Sequence, residues 1–218
     1  MMEIKQFTFA PLNSNMYVVR ENSGAIIIDP CVDVDCGVTL VDQIFLTHEH
    51  YDHLSQANQL REKYNCPILC GETCGARITS STSNFSRYFD ALVAVHNGTK
   101  RNGAKTAEYV CRADQTFSGA LTVNWRNHTI TLTETAGHSP GSICVLLDGK
   151  ILFSGDSLIA TNETILRFPG GSEADFQSKT LPYLLSLPMD TIVYPGHGES
   201  FRLWEHELMR EEVDGGIF

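Results

Sequence analysis

Three imidazoles and two carboxylates fall within six residues of the stretch Thr47-His48-Glu49-His50-Tyr51-Asp52-His53. Neutral imidazole suits zinc and carboxylate adds a harder oxygen ligand, so a divalent metal ion is the occupant that such a cluster fits. The groups converge only if the chain turns sharply beneath them. The apolar run Gln43-Ile44-Phe45-Leu46 before them reads as a buried strand. After them, Leu54 to Tyr64 is helix-forming, with apolar residues at 54, 57 and 60. The cluster therefore sits where a strand stops and a helix starts, and a helix N-terminus favours the negative Asp52. The plain alternative is a solvated, histidine-rich loop.

Further strand ends carry the same kind of group. Thr129 to Leu132 leads into Thr135-Ala136-Gly137-His138-Ser139-Pro140-Gly141. Ser142 to Leu147 and Ile151 to Phe153 read as a hairpin about Asp148-Gly149, ending at Ser154-Gly155-Asp156-Ser157. Asp190 to Tyr194 is one more strand, ending at Pro195-Gly196-His197-Gly198. Five of the eight histidines lie in these turns, and His96, His128 and His206 do not. In open α/β architectures, sites gather where strands end.

The remaining elements must position those turns. Ile4 to Phe9, Met16 to Arg20 and Ala25 to Ile28 read as strands, the last two joined at Asn22-Ser23-Gly24, and Asp29-Pro30 closes the third. An acidic loop with Asp33 and Asp35 follows. Pro67 to Cys70 is a short strand. Gly71 to Tyr109 reads as a long polar excursion, either a lid over the site or a surface excursion with no role, with a flexible basic tip at Gly98 to Gly103. From Tyr109 strand character resumes through Phe117 and Leu121 to Val123. A helix is expected from Ser172 to Leu187 despite Pro182, and a surface helix from Phe201 to Glu212. Strands preceding helices in both halves point to two mixed sheets covered by helices in one domain, 1–218, with a faint hint of duplication.

Composition narrows the function classes. A net charge of −10 argues against a nucleic-acid partner. The N-terminus has no apolar signal core and no run approaches a membrane span, so neither a leader nor a membrane partner is expected. Seven cysteines form no Cys-x-x-Cys pair, which fits reduced thiols in a cytoplasm. Cys66, Cys70 and Cys74 are evenly spaced, but Pro67, Gly71 and Gly75 interrupt any helix that would align them, and small buried residues are the better reading. Cys31 and Cys36 receive no role, and nothing in the chain sets an oligomeric state.

Taken together, His48-x-His50-x-Asp52-His53, Gly137-His138-Ser139-Pro140-Gly141, Gly155-Asp156 and Gly196-His197-Gly198 resemble the motifs of a metallo-β-lactamase superfamily hydrolase. Asn15-x-Tyr17 and Ile28-Asp29-Pro30 resemble that family's opening, and Arg167-Phe168-Pro169-Gly170-Gly171 is similar to its short, glyoxalase II-like branch. The resemblance implies an α/β fold, the αββα sandwich. It implies that His48, His50 and His138 hold one metal ion and Asp52, His53 and His197 a second. Asp156 and a hydroxide would bridge the two. The ions would be divalent, zinc first with iron or manganese as alternatives, and about 3.5–4 Å apart. Asp52 would orient the hydroxide for attack on a small thioester, ester or lactone, as in a hydroxyacylglutathione hydrolase.

Departures bound that expectation. The commonest zinc β-lactamases carry Cys where this chain has Asp156, which disfavours antibiotic hydrolysis, and flavodiiron proteins carry Glu in place of His50. The chain ends about one helix after His197, without the basic helical domain by which full-length glyoxalase II grips glutathione. A mononuclear iron persulfide dioxygenase and a phosphodiesterase of the same superfamily are the alternative activities. The loop Ser157 to Arg167, with Thr161, Asn162 and Thr164, and the 71–109 segment are the expected pocket walls. Arg167 is placed either on a substrate carboxylate or in a surface ion pair.

Overall fold

The computed structural model describes residues 2–35, 37–99, 106–160 and 164–215. Cys36, most of the Gly98–Gly103 tip, Thr161 and Asn162 lie outside them. The chain divides into two compact units, residues 1–116 and 117–218, each built around a six-stranded sheet whose strands neighbour one another in sequence order.

In the first unit, β1 (Met2–Phe9), β2 (Ser14–Glu21) and β3 (Gly24–Ile28) form an antiparallel meander. Asn22 takes the positive φ of 53° that its hairpin turn needs. β4 (Leu40–Phe45) and β5 (Ile68–Gly71) then run parallel to β3, and β6 (Gln115–Phe117) closes the sheet. Because β3, β4 and β5 point the same way, their carboxyl ends share one edge: Ile28 faces Phe45, and Phe45 faces Leu69. That edge carries Asp29 and the histidine-rich turn. The core beneath it includes Met16, Val18, Ile27, Ile44, Leu46, Leu54 and Leu60.

The helix expected from Leu54 to Tyr64 is two helices, α1 (Tyr51–Leu54) and α2 (Ala57–Tyr64). The break has a cause: Gln56 N donates to Pro30 O at 2.9 Å and Ser55 Oγ to Cys31 O at 3.0 Å, which draws the backbone off the helical path. The 71–109 segment is not a long loop. It folds as α3 (Glu72–Arg77), one 3₁₀ turn (Ser86–Tyr88) and α4 (Phe89–His96), and no strand forms between Tyr109 and β6 among the described residues. Its polar residues read as loop from sequence because their side chains bond to nearby backbone, as when Ser80 Oγ accepts from Ser83 N at 3.3 Å and Asn84 Oδ1 from Ser86 N at 2.9 Å. Cys31, Cys66, Cys70 and Cys74 are buried in the apolar core.

In the second unit, β7 (Ala120–Trp125), β8 (His128–Glu134), β9 (Ile143–Leu147) and β10 (Ile151–Gly155) are antiparallel, β11 (Ile192–Pro195) is parallel to β10, and β12 (Phe201–Arg202) flanks it. Asp148 (φ 52°) and Gly149 (φ 66°) make the β9–β10 turn. β8, β10 and β11 run in one direction, so the turns bearing His138, Asp156 and His197 emerge at one edge. The expected 172–187 helix is interrupted. α5 (Glu173–Asp175) passes into a π-helical turn (Phe176–Thr180) and then α6 (Leu181–Leu185). Leu181 N bonds to Phe176 O, five residues back, which brings Pro182 to the start of α6, where its missing N–H costs nothing. The tail is a 3₁₀ turn (Leu203–Glu205) and α7 (Glu207–Gly215), and it does not lie wholly on the surface: Leu203 and Met209 are in the core. No described helix is long and apolar enough to cross a membrane.

Candidate metal centre

The first unit brings His48, His50, Asp52 and His53 together on the turn between β4 and α1. The His48 ring centroid lies 4.6 Å from that of His50 and 4.4 Å from that of His53, and all three histidines are buried. Asp52 Oδ2 lies 3.5 Å from His53 Nε2 and accepts a 2.6 Å hydrogen bond from Ser14 Oγ at the start of β2. As expected, Asp52 stands in the first turn of a helix.

Beneath these groups lies a residue whose role the sequence reading missed. Asp29 is buried, with a φ of 53°, and accepts from Thr47 N at 2.7 Å and from Thr47 Oγ1 at 2.6 Å. Thr47 Oγ1 also stands 3.0 Å from His48 Nδ1. Since the hydroxyl proton goes to the carboxylate, Thr47 Oγ1 can only accept from His48, so the imidazole hydrogen sits on Nδ1. His48 Nε2 is then the atom left to bind a metal ion. Asp29 Oδ2 further stands 3.3 Å from His53 Nδ1, which places a second imidazole beside the same carboxylate. Carboxylates that hold histidine ligands by their far nitrogen are a recurrent device of metal sites. The signal was available, because Asp29, like Asp156, ends a buried strand.

The second unit brings together His138, Asp156 and His197. His138 Nδ1 lies 2.8 Å from Ile165 O. A carbonyl only accepts, so Nδ1 carries hydrogen and Nε2 is the nitrogen whose lone pair could meet a metal ion. That Nε2 stands 3.4 Å from Asp156 Oδ2, and His197 Nε2 stands 3.4 Å from the same oxygen. Gly155 (φ 51°), with a register shift between Phe153 and Gly155 in the β10–β11 ladder, swings Asp156 into this position. Gly137 is required by close approach: a Cβ there would meet Phe176 Cβ at 2.8 Å and Phe176 Cα at 3.0 Å. Thr180 Oγ1 donates to Ala136 O and Ser172 N to Gly137 O, so the π-helical turn supports the His138 turn from beneath.

The donor set fits divalent metal. Imidazoles fixed to present Nε2 and carboxylates beside them are ligands for zinc, iron or manganese. Within the first unit, Asp29, His48 and His53 offer ligand atoms that all lie within 4.8 Å of one another. Arg167 is exposed, and no ion pair to it is found among the described residues, while the neighbouring Phe168 ring lies 6.1 Å from His138. The Cys144 thiol is pushed up to about 12 by burial, which removes it as a nucleophile.

Known proteins agree with this reading. The chain is 26% identical over 206 residues to the probable metallo-hydrolase YqgX of Bacillus subtilis, covering 90% of each. Its fold is similar to that of the BLEG-1 B3 metallo-beta-lactamase, with a TM-score of 0.79, 24% identity and 97% of each chain covered. TTHA1623, solved in a di-iron-bound form, superimposes with a TM-score of 0.68 at 24% identity over 92% of this chain and 96% of its own. These likenesses show the αββα fold of two mixed sheets flanked by helices. A model of the metallo-beta-lactamase superfamily matches residues 10–197, and the chain belongs to that superfamily of metal-dependent hydrolases.

Proposed function

We propose that His48, His50 and His138 hold one divalent ion and Asp52, His53 and His197 a second, with Asp156 shared between them. The observation that carries this reading is the single Asp156 oxygen standing 3.4 Å from both His138 Nε2 and His197 Nε2, the place of a bridging carboxylate. Zinc is the first choice of metal, with iron or manganese as alternatives; iron is what TTHA1623 holds in the form solved. Two such ions, when bound, supply an activated water and polarise the scissile oxygen. Asp52, braced by Ser14 Oγ, orients the attacking water and is the catalytic residue of the chain. Asp29 and Thr47 hold His48 in its ligating tautomer, and the Ile165 carbonyl does so for His138.

The reaction is hydrolysis of a small thioester, ester or lactone, with hydroxyacylglutathione hydrolysis as the closest analogy. The segment 164–168, which carries Ile165 and Phe168, forms a wall of the pocket. A small-molecule substrate, with no nucleic-acid or membrane partner, suits the net charge of −10, and buried reduced cysteines suit a cytoplasmic enzyme. The family match spans both compact units, in keeping with one functional domain.

The test is metal content per chain by elemental analysis, with hydrolysis of a glutathione acyl thioester assayed alongside. About two ions per chain, as two-metal hydrolysis requires, with activity abolished in Asp156→Ala, is the expected result. One iron per chain with oxygen uptake on a persulfide would transfer the chain to the dioxygenase activity, and the absence of any metal would refute the centre.

A further inference from the structure

Three consecutive residues of the ligand turn are each held by a group from residues 77–85. Glu49, between His48 and His50, is fully buried. Taking a carboxylate out of water is costly unless it is paired. Its partner is Arg77, the last residue of α3, whose Nε donates to Glu49 Oε1 and whose Nη2 reaches Ser83 O at 3.4 Å. The His50 ring lies against Phe85, with centroids 4.8 Å apart and planes at 35°. Tyr51 N donates to Asn84 O at 2.8 Å.

The groups that hold the turn are themselves fixed. Phe85 has a φ of 65°, a left-handed conformation that is strained for a bulky residue. It persists because the bonds around it leave no alternative. Asn84 is buried, with Nδ2 donating to Tyr109 O at 2.9 Å and Oδ1 accepting from Ser86 N at 2.9 Å. Ser86 Oγ donates to Tyr109 O and accepts from Tyr109 N, both at 3.0 Å.

From this geometry we infer that Arg77, Asn84 and Phe85 are positioning residues for the metal centre, acting through Glu49, Tyr51 and His50. The base of the 71–109 segment is then an outer shell of the site, and its residues set ligand direction. The inference rests on the metal-centre reading above. Arg77 neutralises a carboxylate buried in the protein interior, one residue from each of two ligands. Phe85 fixes the plane of the His50 ring.

The experiment measures zinc affinity of folded protein by chelator competition, the absorption spectrum of the cobalt-substituted protein, and urea unfolding of the metal-free form. Arg77→Met is expected to weaken zinc binding about 10–100-fold, the usual effect of losing an outer-shell partner. The double variant Glu49→Gln/Arg77→Met should recover most of that loss, because no buried charge is left unpaired. Phe85→Leu, which removes the ring contact and leaves the ion pair intact, should shift the cobalt bands even if Arg77→Met does not fold. A purely structural role would lower the unfolding midpoint of the metal-free form while zinc affinity and cobalt spectrum stayed at wild-type values, and that result overturns the inference. Wild-type protein that binds no metal overturns the metal centre and this inference with it, whereas wild-type binding with unaltered variants overturns the inference alone.

Discussion

Asp29→Asn is a change of one atom type whose consequence can be followed bond by bond. Asn fills the same volume and tolerates the positive φ of 53° at this position. Its Oδ1 can still accept from Thr47 N. Its Nδ2, however, replaces the oxygen that accepts from Thr47 Oγ1 at 2.6 Å and stands 3.3 Å from His53 Nδ1. An amide nitrogen donates, so Thr47 Oγ1 must accept from it and turn its own hydrogen toward His48 Nδ1. His48 then carries its hydrogen on Nε2, the atom assigned to the metal. Exchanging two charge-assisted bonds for neutral ones costs the metal-free fold about 1 kcal/mol each. Restoring the ligating tautomers during binding should weaken zinc affinity about 10–100-fold, or roughly 1.4–2.7 kcal/mol. The assay has two parts: long-range ¹H–¹⁵N correlation spectra of the imidazoles in metal-free protein, and chelator competition for zinc. If His48 keeps its Nδ1 hydrogen and zinc affinity stays within about twofold of wild type, the relay from Asp29 through Thr47 is refuted.

Two other perturbations test the second unit. Gly137→Ala places a methyl group 2.8 Å from Phe176 Cβ and should lower unfolding stability by about 1–3 kcal/mol, as read by urea denaturation; unchanged stability would mean that the π-helical turn yields freely. His206 has its pKa lowered from the ordinary value of 6.5 by burial, opposed by its 3.0 Å contact with Ile159 O. Because the folded protein binds this proton less readily than the unfolded chain, the contribution is fully present above pH 6.5 and is lost as pH falls through the lowered value. His206→Gln should therefore lose less stability between pH 8 and pH 5 than wild type does, and equal losses would contradict the assignment.

Much of this protein was legible before any coordinates. Most of the strands were, because apolar alternation and turn residues such as Asn22-Ser23-Gly24 and Asp148-Gly149 act over a few residues. So were the candidate ligands, because each stands in a Gly-rich or polar turn directly after an apolar run. Local chemistry could not show where helices would break. The interruption at Ser55-Gln56 comes from carbonyls of Pro30 and Cys31, more than twenty residues away, and the π-helical turn before Pro182 lies under a loop from another part of the unit.

The amino-acid sequence by itself determined which side chains could bind metal and that they would emerge at strand ends, since residue type and hydrophobic period are properties of the chain alone. Only the tertiary structure decided what holds those side chains in place. Asp29 reaches Thr47, Arg77 reaches Glu49 and Ile165 reaches His138 across 18, 28 and 27 residues. Hydrogen bonds of that kind depend on where strands of fixed direction deliver their ends, and the spacing of residues along the chain carries no record of it.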